Sequence, residues 1–181
     1  MARKTPDRPF EVRFSRLHNL SIAAVAVIML GLGLAHVFSD LQNMPRLSLN
    51  DPGFVLLFML GAAMIYYVAM GLRRALDRRP QLVIDRRGIT LGFGRDRTIA
   101  WQDVQWVRTR RIGLQRLFQF GIEPDAYVAA DLRLAMWNFE DPMRPVRGAP
   151  TGVQMRDVTL DSSASEMLEA VRVFRPNLVK S

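Results

Sequence analysis

The chain contains no cysteine. Disulfides, thiolate metal sites and thiol nucleophiles are therefore excluded. Histidine is almost absent: His18 and His36 are the only two, and neither falls within residues 81–181. The C-terminal part thus lacks the commonest general base. The dinucleotide fingerprint G-x-G-x-x-G, the P-loop and the nucleophile elbow G-x-S-x-G are missing as well. Carboxylates remain at Asp85, Asp103, Asp125, Asp131, Glu140, Asp141, Asp157 and Asp161. Their spacing gathers no two into a site and forms no recognisable calcium loop. The expectation is a non-catalytic protein with no cofactor and no metal site.

Charge is lacking from two long stretches. LSIAAVAVIMLGLGLAHVF (20–38) and FVLLFMLGAAMIYYVAMGL (54–72) each run 19 residues without Asp, Glu, Lys or Arg. A helix rising about 1.5 Å per residue crosses a hydrocarbon core of about 30 Å in that length. Soluble helices keep a polar face, and these do not. The first run begins too far into the chain and is too long for a cleaved signal segment. Both are expected to be transmembrane helices. Gly31 with Ala35, and the cluster Gly61, Ala62 and Ala63, are the expected small residues at their contact.

The net charge of +8 is concentrated beside these runs. Residues 1–19 carry five cations against two acids, and the stretch 73–80 carries Arg73, Arg74, Arg78 and Arg79 against Asp77. The loop between the runs holds only Arg46. By the positive-inside rule both termini are cytoplasmic and the loop is outside. Charge held at a membrane boundary favours anionic lipid over nucleic acid, so no nucleic-acid partner is expected. The organisation is a basic tail (1–19), a transmembrane helical hairpin (20–72), a basic juxtamembrane linker (73–80) and a cytoplasmic domain (81–181).

That domain is patterned as strands. QLVID, the turn DRRG, GITLGF, the polar turn GRDR, and TIAW read as successive strands and turns. VQWVRTRRI alternates, with Trp106, Arg108 and Arg110 on one side and Val107, Thr109 and Arg111 on the other. LQRLFQFGI and AYVAADLRLAMW read as further strands, although Leu114, Leu117 and Phe118 would also suit a short amphipathic helix. Residues 137–152, with three prolines and two glycines, read as an extended loop. VQMRDVTLD resumes a strand. SASE (163–166) has capping-box form, and Met167, Ala170, Val171 and Phe174 follow at helical spacing until Pro176. Trp101 is expected to plug the core or a sheet edge. Asp103 is expected to bond backbone N–H groups at the corner after it.

The order QLVIDRRGI, then IAWQDV, then DSSASEMLEAVRVFRP resembles the bacterial pleckstrin-homology-like family, whose members often follow a two-span hairpin. The likeness covers about residues 20–176. It implies about seven strands in a bent, partly open barrel capped by a C-terminal helix, in a protein of the bacterial inner membrane. The family has no shared catalytic residues, so the resemblance carries no mechanism.

Two functional classes remain. One is a protein-interaction or assembly module that binds another membrane or cytosolic protein, or itself. Its surface candidates are Arg108, Arg110 and Arg111. The other is a module for anionic lipid headgroups. Arg86 and Arg87 in one turn, and Arg95 and Arg97 in the next, would join Arg73, Arg74, Arg78 and Arg79, since arginine binds phosphate bidentately.

Overall fold

The structure, a computed structural model, describes residues 8–40, 52–93, 95–113, 115–134 and 141–180, with the backbone alone over 37–40. It divides into two compact units: residues 16–77, and residues 1–15 together with 78–181.

The first unit is a pair of helices, α1 (Arg16–Asp40) and α2 (Pro52–Leu76). Both are long and apolar enough to cross a membrane. Large apolar side chains face outward along them, including Ile28, Leu32, Leu56, Phe58 and Ile65. The helices run antiparallel, and among their glycines the tightest approach is where the end of α2 meets the start of α1, not at Gly31 or Gly61. A Cβ at Gly71 would lie 2.7 Å from the Asn19 carbonyl and 3.1 Å from the Ala23 Cβ. Gly31 has nothing within 4 Å, and Gly61 meets only Leu30 at that limit. Close approach requires a small residue where the axes come together. Spacing along one helix does not reveal that place. The loop with Arg46 lies outside the described residues.

Among the described residues the second unit holds eight strands. β1 (Phe10–Val12), β2 (Leu82–Ile84), β3 (Gly88–Leu91) and β4 (Arg97–Ala100) form one antiparallel sheet in that order. β5 (Val104–Ile112), β6 (Gln115–Ile122), β7 (Met143–Val146) and β8 (Ala149–Arg156) form a second, in the order β5-β6-β8-β7. The two sheets are not closed into a barrel. Phe118, Phe120 and Ile122 point inward from β6, opposite Ile84, Ile89 and Leu91 of the first sheet. Helix α4 (Ala164–Phe174) packs Met167 and Val171 into this core and touches β2, β5 and β6.

β1 lies in the stretch expected to be a basic tail. Phe10, Glu11 and Val12 pair with Ile84, Val83 and Leu82. Beyond the strand, the Ser15 N–H donates to the Thr159 carbonyl and the Asp161 N–H to the Arg13 carbonyl, both at 2.9 Å. Phe14 bridges Leu160 and meets Phe93 edge-on. Short segments of alternating Phe-x-Val-x-Phe pattern are too brief to read as strands without a partner in view.

Three further expectations change. Residues 124–130 form a helix, α3 (Pro124–Ala130), where a strand was expected. Pro124 suits the first helical position, and Ala126, Ala129 and Ala130 favour the helix. The expected loop at 137–152 contains β7 and the start of β8; residues 135–140 lie outside the described set. Pro145 fits a strand because β7 is an edge of its sheet. β6 is a strand throughout, with Leu117 and Phe118 buried on opposite faces, so the helical alternative does not hold.

Trp101 is buried, donates from its indole Nε1 to the Asp85 carbonyl at 2.8 Å, and stacks on Phe174. The corner at Trp101–Asp103 is a 3-10 turn closed by backbone, with the Val104 N–H on the Trp101 carbonyl. Asp103 offers its own carbonyl to the Glu123 N–H. Its carboxylate makes no hydrogen bond among the described residues, contrary to expectation.

The capping box is present. The Ser163 Oγ accepts from the Glu166 N–H at 3.2 Å, and the Glu166 carboxylate accepts from the Ser163 N–H at 2.7 Å. These bonds from the Ser163 backbone and hydroxyl hold the Glu166 carboxyl below its ordinary pKa. A depressed carboxyl stabilises the fold above its unfolded value, and this stability is lost as pH falls through the folded value. Ser163→Ala is expected to cost about 1 kcal/mol. It should also flatten the acid side of the stability curve, checked by thermal unfolding from neutral pH into the acid range.

Candidate functional site: the outer face of the second sheet

The basic turns separate in space. Asp85 organises the first by accepting from the Arg87 and Gly88 N–H groups at 2.8 and 3.2 Å. Arg86 and Arg87 project from it, with Arg87 paired to Asp85. This turn sits where Gly88 pairs with Ala100; the next turn sits where Leu91 pairs with Arg97. Successive turns of an antiparallel meander fall at opposite ends of the sheet, here about 10 Å apart. The two turns therefore do not face one headgroup together.

Arg95 is turned into the fold. Its guanidinium donates to the Leu132 carbonyl at 2.6 Å and pairs with Asp141, with only 14% of the Arg95 side chain exposed. Asp141 also accepts from the Met143 N–H, and its carbonyl accepts from Arg144. Arg95 is thus half of an internal ion pair. Arg97 remains exposed at the start of β4, as do Arg78 and Arg79 ahead of β2. In the helical unit Arg73 is exposed and Arg74 is buried.

The second sheet gathers a different set. One row of its ladder reads Arg108, Gln119, Gln154 and Arg144 across β5, β6, β8 and β7. Arg108 Nε donates to Gln119 Oε1 at 3.0 Å, and Gln119 Nε2 donates to Gln154 Oε1 at 3.1 Å. Gln119 is buried under this row, on the face opposite Phe118 and Phe120. The next row holds Arg110, Leu117 and Arg156. The row on the other side holds Trp106 and Gly121. A Cβ at Gly121 would come within 2.1 Å of the indole, so the Trp106 ring lies flat across the glycine. Arg108 sits 4.7 Å over that ring. The guanidinium is therefore held from below by an aromatic face and from the side by an amide.

At the far end, burial lowers the Arg144 pKa; Asp141 opposes that shift and Arg156 adds to it. The sheet face therefore presents Trp106, Arg108, Arg110 and Arg156 together. No family model, curated protein or solved structure matches the chain. The face is consequently read from its own chemistry.

Two of the three sequence candidates, Arg108 and Arg110, share this face. Arg111 lies on the opposite side of β5, across from Arg116. Sequence reading missed Gln119, Gly121, Gln154, Arg144 and Arg156. A signal existed in FQFGI, where a polar residue and then a glycine interrupt buried aromatics at period two. The cross-strand partners that give them meaning come from distant segments.

Proposed function

We propose that the chain is a membrane-anchored, non-catalytic module of pleckstrin-homology-like type that docks a protein partner on the outer face of its second sheet. The two apolar helices supply the anchor in a bacterial inner membrane, with both termini cytoplasmic as the arginine distribution favours. The pairing of β1 with β2 supports an even number of crossings, because the segments before α1 and after α2 join one sheet.

The observation that carries the docking reading is the fixed position of Arg108, stacked on Trp106 and bonded to Gln119. Arginine and tryptophan dominate interface energetics, and a side chain already held in place loses little entropy on binding. The partner is another membrane or cytosolic protein, or a second copy.

A photo-crosslinker placed at Gln154 of the full chain in native membranes is expected to give a discrete product. One placed at Glu169 on exposed α4 should give none. Arg108→Ala should reduce the Gln154 product at least tenfold without changing the amount of protein in the membrane. Equal products from both positions, or indifference to Arg108→Ala, would refute the docking face.

A further inference from the structure

The hairpin of β5 and β6 outgrows its sheet. β8 accompanies β6 only as far as the pair Leu117–Arg156. Beyond it, Arg111 pairs only with Arg116, and Ile112 only with Gln115. Two arginines directly opposite each other in a ladder repel, and no acidic residue of this hairpin offsets them; Arg116 reaches only the Ser165 hydroxyl of α4, at 3.4 Å. Residues 104–122 contain no Asp or Glu, but hold Arg108, Arg110, Arg111 and Arg116. Arg110 forms no hydrogen bond or ion pair among the described residues, and Arg111 reaches only the Gly113 carbonyl. At the end of this basic stalk Ile112 stands 54% exposed. A cross-strand like-charge pair and an exposed aliphatic tip both break local folding rules, which marks a surface shaped for an external ligand.

We infer that the β5–β6 hairpin tip is a finger that docks into an anionic phospholipid bilayer, with Ile112 entering the interface and Arg110, Arg111 and Arg116 collecting lipid phosphates. Cations lie on both faces of the hairpin near its tip: Arg110 on one, at the root of the overhang, and Arg111 and Arg116 on the other. They encircle the aliphatic tip as a collar. Phosphates arriving between Arg111 and Arg116 turn their repulsion into a shared, charge-assisted contact. An anionic leaflet attracts each such arginine, and a short aliphatic side chain partitions into the boundary below the headgroups. An acidic protein surface would satisfy the arginines but would leave Ile112 in water. This inference rests on the membrane anchoring proposed above, which keeps such a surface always available to the hairpin.

The cysteine-free chain accepts a single nitroxide at Gln115→Cys, next to Ile112 in the ladder. The full chain is placed in nanodiscs of phosphatidylcholine alone, or with one-third phosphatidylglycerol. Accessibility to oxygen and to an aqueous nickel complex then reports depth. With phosphatidylglycerol the label is expected to become oxygen-accessible; in phosphatidylcholine alone it should stay in water. Replacing Arg110, Arg111 and Arg116 together with Gln should weaken insertion roughly a hundredfold, about fivefold per charge. Ile112→Asp should abolish insertion while leaving thermal unfolding nearly unchanged.

A label equally wet in both bilayers overturns the finger. So does protection that is equal in neutral lipid or that scales with protein copies per disc. A second label at Leu32→Cys in α1 separates the two readings. If Leu32 is lipid-exposed while Gln115 stays wet, only the finger fails; if Leu32 is in water, the anchoring itself fails.

Discussion

A fragment of residues 78–181 is expected not to fold, although it spans the whole of the domain that sequence patterning outlines. Such a fragment lacks β1. Val12 is fully buried and Phe14 nearly so. Burying two side chains of this size is worth about 3–6 kcal/mol. A domain of this length has roughly 5–15 kcal/mol of stability in total. The loss extends to the backbone. The Gln81 N–H donates to the Val12 carbonyl at 2.7 Å, and the Arg13 N–H donates to Asp161 Oδ1 at 2.8 Å. Without β1, the edge of β2 lies open to pairing with other chains.

Amide NMR spectra of the fragment should show poor dispersion, with aggregation on concentration. Fusing residues 8–15 to residue 78 through a long flexible linker should restore a dispersed spectrum and a cooperative thermal transition. A fragment that unfolds at the same temperature as the fusion would remove β1 from the folded core. The practical consequence is direct. Any lipid- or partner-binding assay on the C-terminal domain needs the N-terminal strand.

Replacing Arg95 with Met is expected to cost about 3–5 kcal/mol, because Asp141 would keep a buried charge without its partner. The side chain of Asp141 is 8% exposed, so water cannot substitute for the guanidinium. The Met143 N–H and the Arg144 guanidinium also depend on Asp141, which extends the damage along the start of β7. Arg95→Met combined with Asp141→Asn should recover part of the loss, since the neutral amide still accepts from the Met143 N–H and leaves no carboxylate stranded. Chemical denaturation of the two variants checks this. Unchanged stability of Arg95→Met would show that the pair carries no structural weight.

These two cases show where a single sequence stops being legible. Val12 and Phe14 stand only two residues apart, with no periodic run around them. Their strand exists because β2, which lies more than sixty residues later, offers an open edge. Arg95 reads as a turn arginine beside Asp96 and Arg97. Its partner Asp141 comes 46 residues later. Gln119 is buried because Arg108, Gln154 and their neighbours close over it, and those partners come from other strands. The basic turns fail to converge for a related reason. Sequence order places them next to each other, whereas antiparallel pairing sends them to opposite ends of β3.

Properties that act locally or by composition are legible in the chain before any partner segment is known. The two apolar runs follow from hydropathy and length. The helix at 164–174 follows from its capping box and 3.6-residue period. β2 to β6 follow from alternation and turn residues. The absence of charge-bearing acids from 104–122 was equally open to reading. Which distant segments pair emerges only in the folded chain. Folding recruited residues 10–12 into a sheet, folded Arg95 inward, aligned Arg108 with Gln119 and Gln154, and left the β5–β6 tip beyond its neighbours. The physical reason is that hydrophobic period and capping are short-range quantities, summed over one turn or a few residues. Register, burial of polar groups and the overhang of a hairpin depend on strands that meet across the chain.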